Sequence, residues 1–110
     1  MREITLYIES PDGRGQTVRL ENEVTFGRTN LAQIVIADAQ LSRVHAVVWR
    51  EGDDVWIADE DSTNGTFVNG ERVVLERKLN DRDEITLGTD TRIFVESRES
   101  RVGSQKSYTA

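Results

Sequence analysis

His45-Ala46-Val47-Val48-Trp49-Arg50 and Val55-Trp56-Ile57-Ala58-Asp59 flank the turn Glu51-Gly52-Asp53-Asp54, and Thr66-Phe67-Val68 follows before Asn69-Gly70. β-Branched and aromatic residues fill both runs, and the acidic, glycine-bearing break between them is turn chemistry, so this stretch reads as hairpin-connected strands. Working outward, similar runs recur at Ile4–Ile8, Thr17–Leu20, Val24–Gly27, Ile34–Ile36, Arg72–Val74, Glu84–Leu87 and Arg92–Glu96. Turn signals at Pro11-Asp12-Gly13, Asn64-Gly65, Asn69-Gly70 and Gly88-Thr89-Asp90 separate them. No helical stripe competes with the two-residue alternation. Many short strands at close spacing predict an all-β chain, a β-sandwich or small barrel. The alternation assigns Val24/Phe26, Val47/Trp49, Val55/Ile57, Ile85/Leu87 and Ile93/Val95 to inward faces, and His45 shares the parity of Val47 and Trp49.

The 110 residues suit one domain with its own core. Cysteine is absent and His45 is the one histidine, which excludes disulfides, thiolate nucleophiles and multi-histidine metal sites. No signal-type apolar region or long apolar run is present, so the expected address is the cytoplasm. A net charge of −6, from 14 basic and 20 acidic residues, disfavours a nucleic-acid surface. It leaves room for one local anion pocket, because remote carboxylates are screened over a Debye length of about 8 Å.

Candidate pocket residues lie at strand ends. Gly27 closes a strand, where glycine permits a backbone turn or a close approach that a Cβ would block. Arg28 follows with a planar fork of donors suited to phosphate. Ser42-Arg43-Val44-His45 supplies a hydroxyl and a second guanidinium. A Ser-x-x-His word also suggests a nucleophile with its base. Residues three apart on a strand face opposite ways, however, and no third group that would orient the imidazole is evident. His45 reads instead as a buried residue bonding loop backbone. Asn69-Gly70 is a two-residue hairpin signal, whereas Ser62-Thr63-Asn64-Gly65 is a longer, hydroxyl-bearing loop.

The ordered set of Gly27-Arg28, Ile34-Val35-Ile36 with Asp38, Leu41-Ser42-Arg43-Val44-His45-Ala46, Asp61 through Gly70, Leu79, Asp83-Glu84-Ile85 and Leu87-Gly88 resembles the forkhead-associated (FHA) domain family over about residues 3–96. The resemblance implies a sandwich of about eleven short strands whose loops at one end bind phosphothreonine peptides. It implies phosphate contacts from Arg28, Ser42, Arg43 and Thr63, and a peptide main-chain contact from Asn64. Gly27, His45 and Gly65 would support the loops. No cofactor, metal or catalytic residue is implied, and the isolated domain would be monomeric. The third residue after the phosphothreonine would be read by residues 38–41 and 88–91, where Asp38 and Asp90 disfavour an acid. Two departures stand out: Arg82 occupies a frequent glycine position, and Gln33 stands where aspartate is common, which would loosen a loop contact.

The expected function is a phosphothreonine-dependent interaction module that recruits a phosphorylated partner in Ser/Thr kinase signalling. The alternatives are a small hydrolase using Ser42 and His45, or a β-sandwich that binds protein without phosphate. The domain is expected to span 1–96, with 97–110 a flexible polar tail or linker.

Overall fold

The computed structural model describes residues 1–100, which form eleven strands and no helix. In chain order these are β1 (Arg2–Glu9), β2 (Gly15–Arg19), β3 (Glu23–Gly27), β4 (Ile34–Val35), β5 (Ala46–Glu51), β6 (Asp54–Asp59), β7 (Thr66–Val68), β8 (Glu71–Arg72), β9 (Arg77–Leu79), β10 (Glu84–Leu87) and β11 (Thr91–Glu99). They make two sheets, ordered β2-β1-β11-β10-β7-β8 and β4-β3-β5-β6-β9. Pairing is antiparallel throughout except for the short β3–β4 ladder. The expected β-sandwich is therefore present.

Alternation places Ile4, Leu6 and Ile8 of β1 on the inner face with Ile85, Leu87, Ile93 and Val95. Val24, Phe26, Ala46, Val48, Val55 and Ile57 of the second sheet complete the core between the layers. Burying each such side chain is worth roughly 1.5–3 kcal/mol, and this is what holds the sheets together.

The expectation for Val47 and Trp49 is corrected: Ala46 and Val48 face the core instead. Val48 lies opposite Val24 on one side and Ile57 on the other, so both neighbouring strands set its direction inward. Trp49 pairs with Trp56 across the outer face. Ala46-Val47-Val48 is apolar at both parities, so only the ladder decides which side is buried. His45 is nonetheless fully buried, because it precedes β5 and the loops at the sandwich end close over it.

Strand β9 was not expected. Three residues show too little alternation to announce a strand, and this one forms because Val55–Ile57 offer it an edge. Strand β11 runs three residues past the expected boundary. Arg2 binds Ser97 there through Nε to Oγ at 2.7 Å and Nη2 to the carbonyl at 2.8 Å. The remainder of the expected tail, 101–110, lies outside the described residues.

Asn69 and Gly70 both have positive φ, 50° and 85°, the signature of the tight hairpin between β7 and β8. Arg82 adopts the left-handed conformation (φ 71°) that favours glycine. Gln33 does not loosen its loop: its Oε1 accepts from the Thr25 N–H at 3.1 Å, and its own N–H donates to Thr25 Oγ1 at 2.9 Å.

A candidate anion-binding cleft at the loop end

Strand pairing brings the end of β3, the start of β5, the end of β6, the start of β7 and the β10–β11 turn to one end of the sandwich. Residues 42–45 there run beside 26–29. The Arg28 N–H donates to the Ser42 carbonyl at 3.0 Å and the His45 N–H to the Phe26 carbonyl at 2.7 Å. Gly27 lies between these segments. A Cβ on it would sit 2.1 Å from the Arg43 carbonyl oxygen, so this approach tolerates only glycine.

His45 ties two loops together. Its Nδ1 accepts from the Ser42 N–H at 3.1 Å, which makes Nε2 the protonated nitrogen, and Nε2 donates to the Gly65 carbonyl at 2.7 Å. Both ring nitrogens are thus engaged by backbone, and neither is available to the Ser42 hydroxyl. Gly65 has φ +91°, and its Cβ would meet the Phe67 ring at 3.1 Å.

Asp59 organises the 60–65 loop, a role the sequence reading missed. Its Oδ1 accepts from the Ser62 and Thr66 hydroxyls, and its Oδ2 accepts from the Ser62 N–H at 2.9 Å. Ser62 Oγ in turn accepts from the Gly65 N–H at 3.0 Å. Burial alone would raise the Asp59 carboxyl. The Ser62 and Thr66 hydroxyls, the Ser62 N–H and the His45 ring outweigh it and hold the group below the usual carboxylate value. The Asp-x-x-Ser spacing, which suits a side chain bonding a nearby N–H, was the available signal.

Arg28, Ser42, Arg43 and Thr63 line one cleft of ≈ 560 Å³, together with Leu31, Val44, Glu60 and Asp61. All four expected phosphate ligands are therefore neighbours. Arg28 Nε donates to the Leu41 carbonyl at 2.9 Å, and among the described residues no hydrogen bond engages its Nη1 or Nη2. Ser42 Oγ accepts from the Thr63 N–H at 3.1 Å and keeps its own hydrogen to donate. Asn64 is outside this lining. Its Nδ2 donates to the Gln40 carbonyl at 2.7 Å, clasping the two loops and leaving Oδ1 unbonded among the described residues.

Two carboxylates in the lining, Glu60 and Asp61, were not expected beside an anion. Asp38, expected at the rim, is buried: Oδ2 accepts from Thr91 Oγ1 at 2.7 Å and Oδ1 from the Gln40 N–H at 2.9 Å. Its charge is used inside the fold and not at the surface. A smaller cleft of ≈ 400 Å³ includes Tyr7, Asp81, Arg82, Phe94 and Glu96. There Arg82 already faces Asp81 and Tyr7 donates to Glu96, so it suits an anion less well.

Most cations of this acidic chain are paired. Among the described residues, the arginines without a carboxylate inside 4.0 Å are Arg28, Arg43, Arg72 and Arg98. Two of them line the cleft. Two unpaired arginines, Arg28 and Arg43, thus meet the hydroxyl residues Ser42 and Thr63 at one loop end of a two-layer β-sandwich.

The FHA domain family model matches residues 24–88, and the chain belongs to that family. It is 40% identical over 86 residues to the FHA domain-containing protein FhaA of Mycobacterium tuberculosis, covering 77% of this chain and 16% of that protein. A solved structure from a structural and functional analysis of phosphothreonine-dependent FHA domain interactions superposes with a TM-score of 0.75 at 35% identity, covering 89% of this chain and 99% of that one. The FhaA FHA domain complexed with the intracellular domain of Rv3910 superposes with a TM-score of 0.71 at 36% identity, covering 84% and 99%.

Proposed function

We propose that this domain is a non-catalytic reader of phosphothreonine, recruiting a phosphorylated partner in Ser/Thr kinase signalling within the cytoplasm. The observation that carries the reading is the convergence of Arg28, Ser42, Arg43 and Thr63 on one cleft, with guanidinium nitrogens and a hydroxyl hydrogen left over. Arg28 and Arg43 supply charge, and Ser42 and Thr63 donate to phosphate oxygens. Asn64 accepts from the peptide main chain through its unbonded Oδ1. Gly27, His45 and Gly65 hold the loops in register.

Membership of the family supports this assignment, as does the phosphothreonine-dependent binding described for a similar structure. The Ser42–His45 hydrolase has nothing in its favour, since the imidazole is committed to backbone on both sides. Among the described residues no helix is long and apolar enough to cross a membrane.

Each charge-assisted bond to phosphate contributes about 1.5–3 kcal/mol before ordering costs, which gives an affinity of order micromolar. Calorimetry with a phosphothreonine peptide and its unphosphorylated twin tests the proposal. The expected result is binding of the first alone, with most of the affinity lost in Arg28→Ala. Equal affinity for both peptides, surviving Arg28→Ala, would establish phosphate-independent capture instead.

A further inference from the structure

The β8–β9 region lies against the cleft loop without taking part in the cleft. Arg72 is opposite Phe67 in the β7–β8 ladder. Its guanidinium carbon is 3.4 Å from the point where a Cβ on Gly65 would sit. Arg72 is thus beside the loop that carries Thr63 and Asn64, and no carboxylate of the described chain pairs with it. In a chain with 20 acidic residues, an unpaired guanidinium at that position is available to a ligand.

Next in sequence, the Val73 N–H donates to the Thr66 carbonyl at 2.8 Å and Val73 is buried. That anchor leaves Val74 and Leu75 out, at 85% and 79% exposure. Because Arg77 pairs with Ile57, residues 73–76 cross from one sheet to the other at the same end as the 60–65 loop. A cation and two adjacent aliphatic side chains therefore continue the surface that begins at Asn64.

We infer that Arg72, Val74 and Leu75 form a second contact surface for the phosphorylated partner, selecting a segment that carries an acidic residue beside an apolar one. This rests on the phosphothreonine reading above. Charge complementarity chooses the acid, since a planar fork without an internal partner fits a carboxylate. Exposed neighbouring aliphatics choose the apolar residue. Reach chooses the spacing: Thr63 and Gly65 are at most about 7 Å apart along the chain, so the acidic residue stands about two to four positions from the phosphothreonine. This takes the place of the bias against an acid expected from Asp38, whose charge is used inside the fold.

An oriented peptide library with a fixed phosphothreonine and degenerate flanks, captured by the whole 110-residue chain, tests both levels separately. Capture of any phosphorylated member tests the cleft; failure to capture one ends both readings. Flank preference tests the second surface. The parent enriches Asp or Glu about two- to five-fold at one position in the stated window. Arg72→Ala flattens that preference and Arg72→Glu turns it toward Lys or Arg, with thermal midpoints unchanged. Val74→Ser with Leu75→Ser removes the adjacent apolar preference only. A library profile from Arg72→Glu that matches the parent's would overturn the inference.

Discussion

Replacing Gly27 by alanine adds a single methyl group at the one point where two site-forming segments touch. The new Cβ would lie 2.1 Å from the Arg43 carbonyl oxygen, 2.8 Å from its carbon and 2.9 Å from Val44 Cα. All three are backbone atoms, so no side chain can swing aside. Carbon–oxygen contacts close at about 3.3 Å, so residues 42–45 must retreat by roughly 1 Å. Retreat strains the Arg28–Ser42 and His45–Phe26 backbone bonds. Overpacking costs about 1–3 kcal/mol and two weakened bonds about 1 kcal/mol each, for a total of about 3–5 kcal/mol. Gly27 is not among the positive-φ glycines, so the cost is steric and not conformational. The unfolded-state effect of Gly→Ala has the opposite sign, a gain of about 0.4–1 kcal/mol, and cannot mimic the loss. Urea unfolding followed by tryptophan fluorescence measures it, with an expected midpoint about 2 M lower at unchanged slope. Phosphopeptide affinity falls too, because Ser42 moves relative to Arg28 beyond the ~0.5 Å a binding constellation tolerates. A variant within 0.5 kcal/mol of the parent, with parental affinity, would refute the claim that this contact sets the cleft.

His45→Ala leaves the Ser42 N–H without its partner and removes one of two donors from the Gly65 carbonyl, which keeps the Gly88 N–H. It should lower unfolding free energy by about 1–3 kcal/mol; parental stability in urea would remove His45 from its structural role. Asp59 has a depressed carboxyl, so its contribution is complete above the ordinary carboxylate value of about 3.9 and is lost as pH falls through its lower folded value. The stability deficit of Asp59→Asn should accordingly be full at pH 7 and shrink below about pH 4 in thermal melts; a deficit independent of pH contradicts the assignment. Asp61→Asn removes a carboxylate from the cleft lining at a left-handed position (φ 55°) that asparagine readily adopts. Phosphopeptide binding should tighten about two- to five-fold by calorimetry, and weaker binding would show that Asp61 holds the ligand and does not repel it.

Much of the architecture is local and was legible without coordinates. Alternating β-branched and aromatic runs specify strands, and Asn69-Gly70 specifies its own hairpin, because each depends on backbone preferences of a few adjacent residues. The ordered words from Gly27 to Gly70 were enough for the family, and Arg28, Ser42, Arg43 and Thr63 do share a cleft. Tertiary structure alone decided the rest. Ala46-Val47-Val48 carries no parity signal, so its inner face was set by Val24 and Ile57 on the flanking strands. Strand β9 exists only against β6. Asp38 is buried because Thr91 arrives from 53 residues away. Arg72 comes beside Gly65 only when β8 folds back on β7, which places a cation next to a loop it does not border in sequence. Period and turn chemistry are short-range properties of the chain, whereas burial, charge pairing and the company of a loop depend on which distant segments meet.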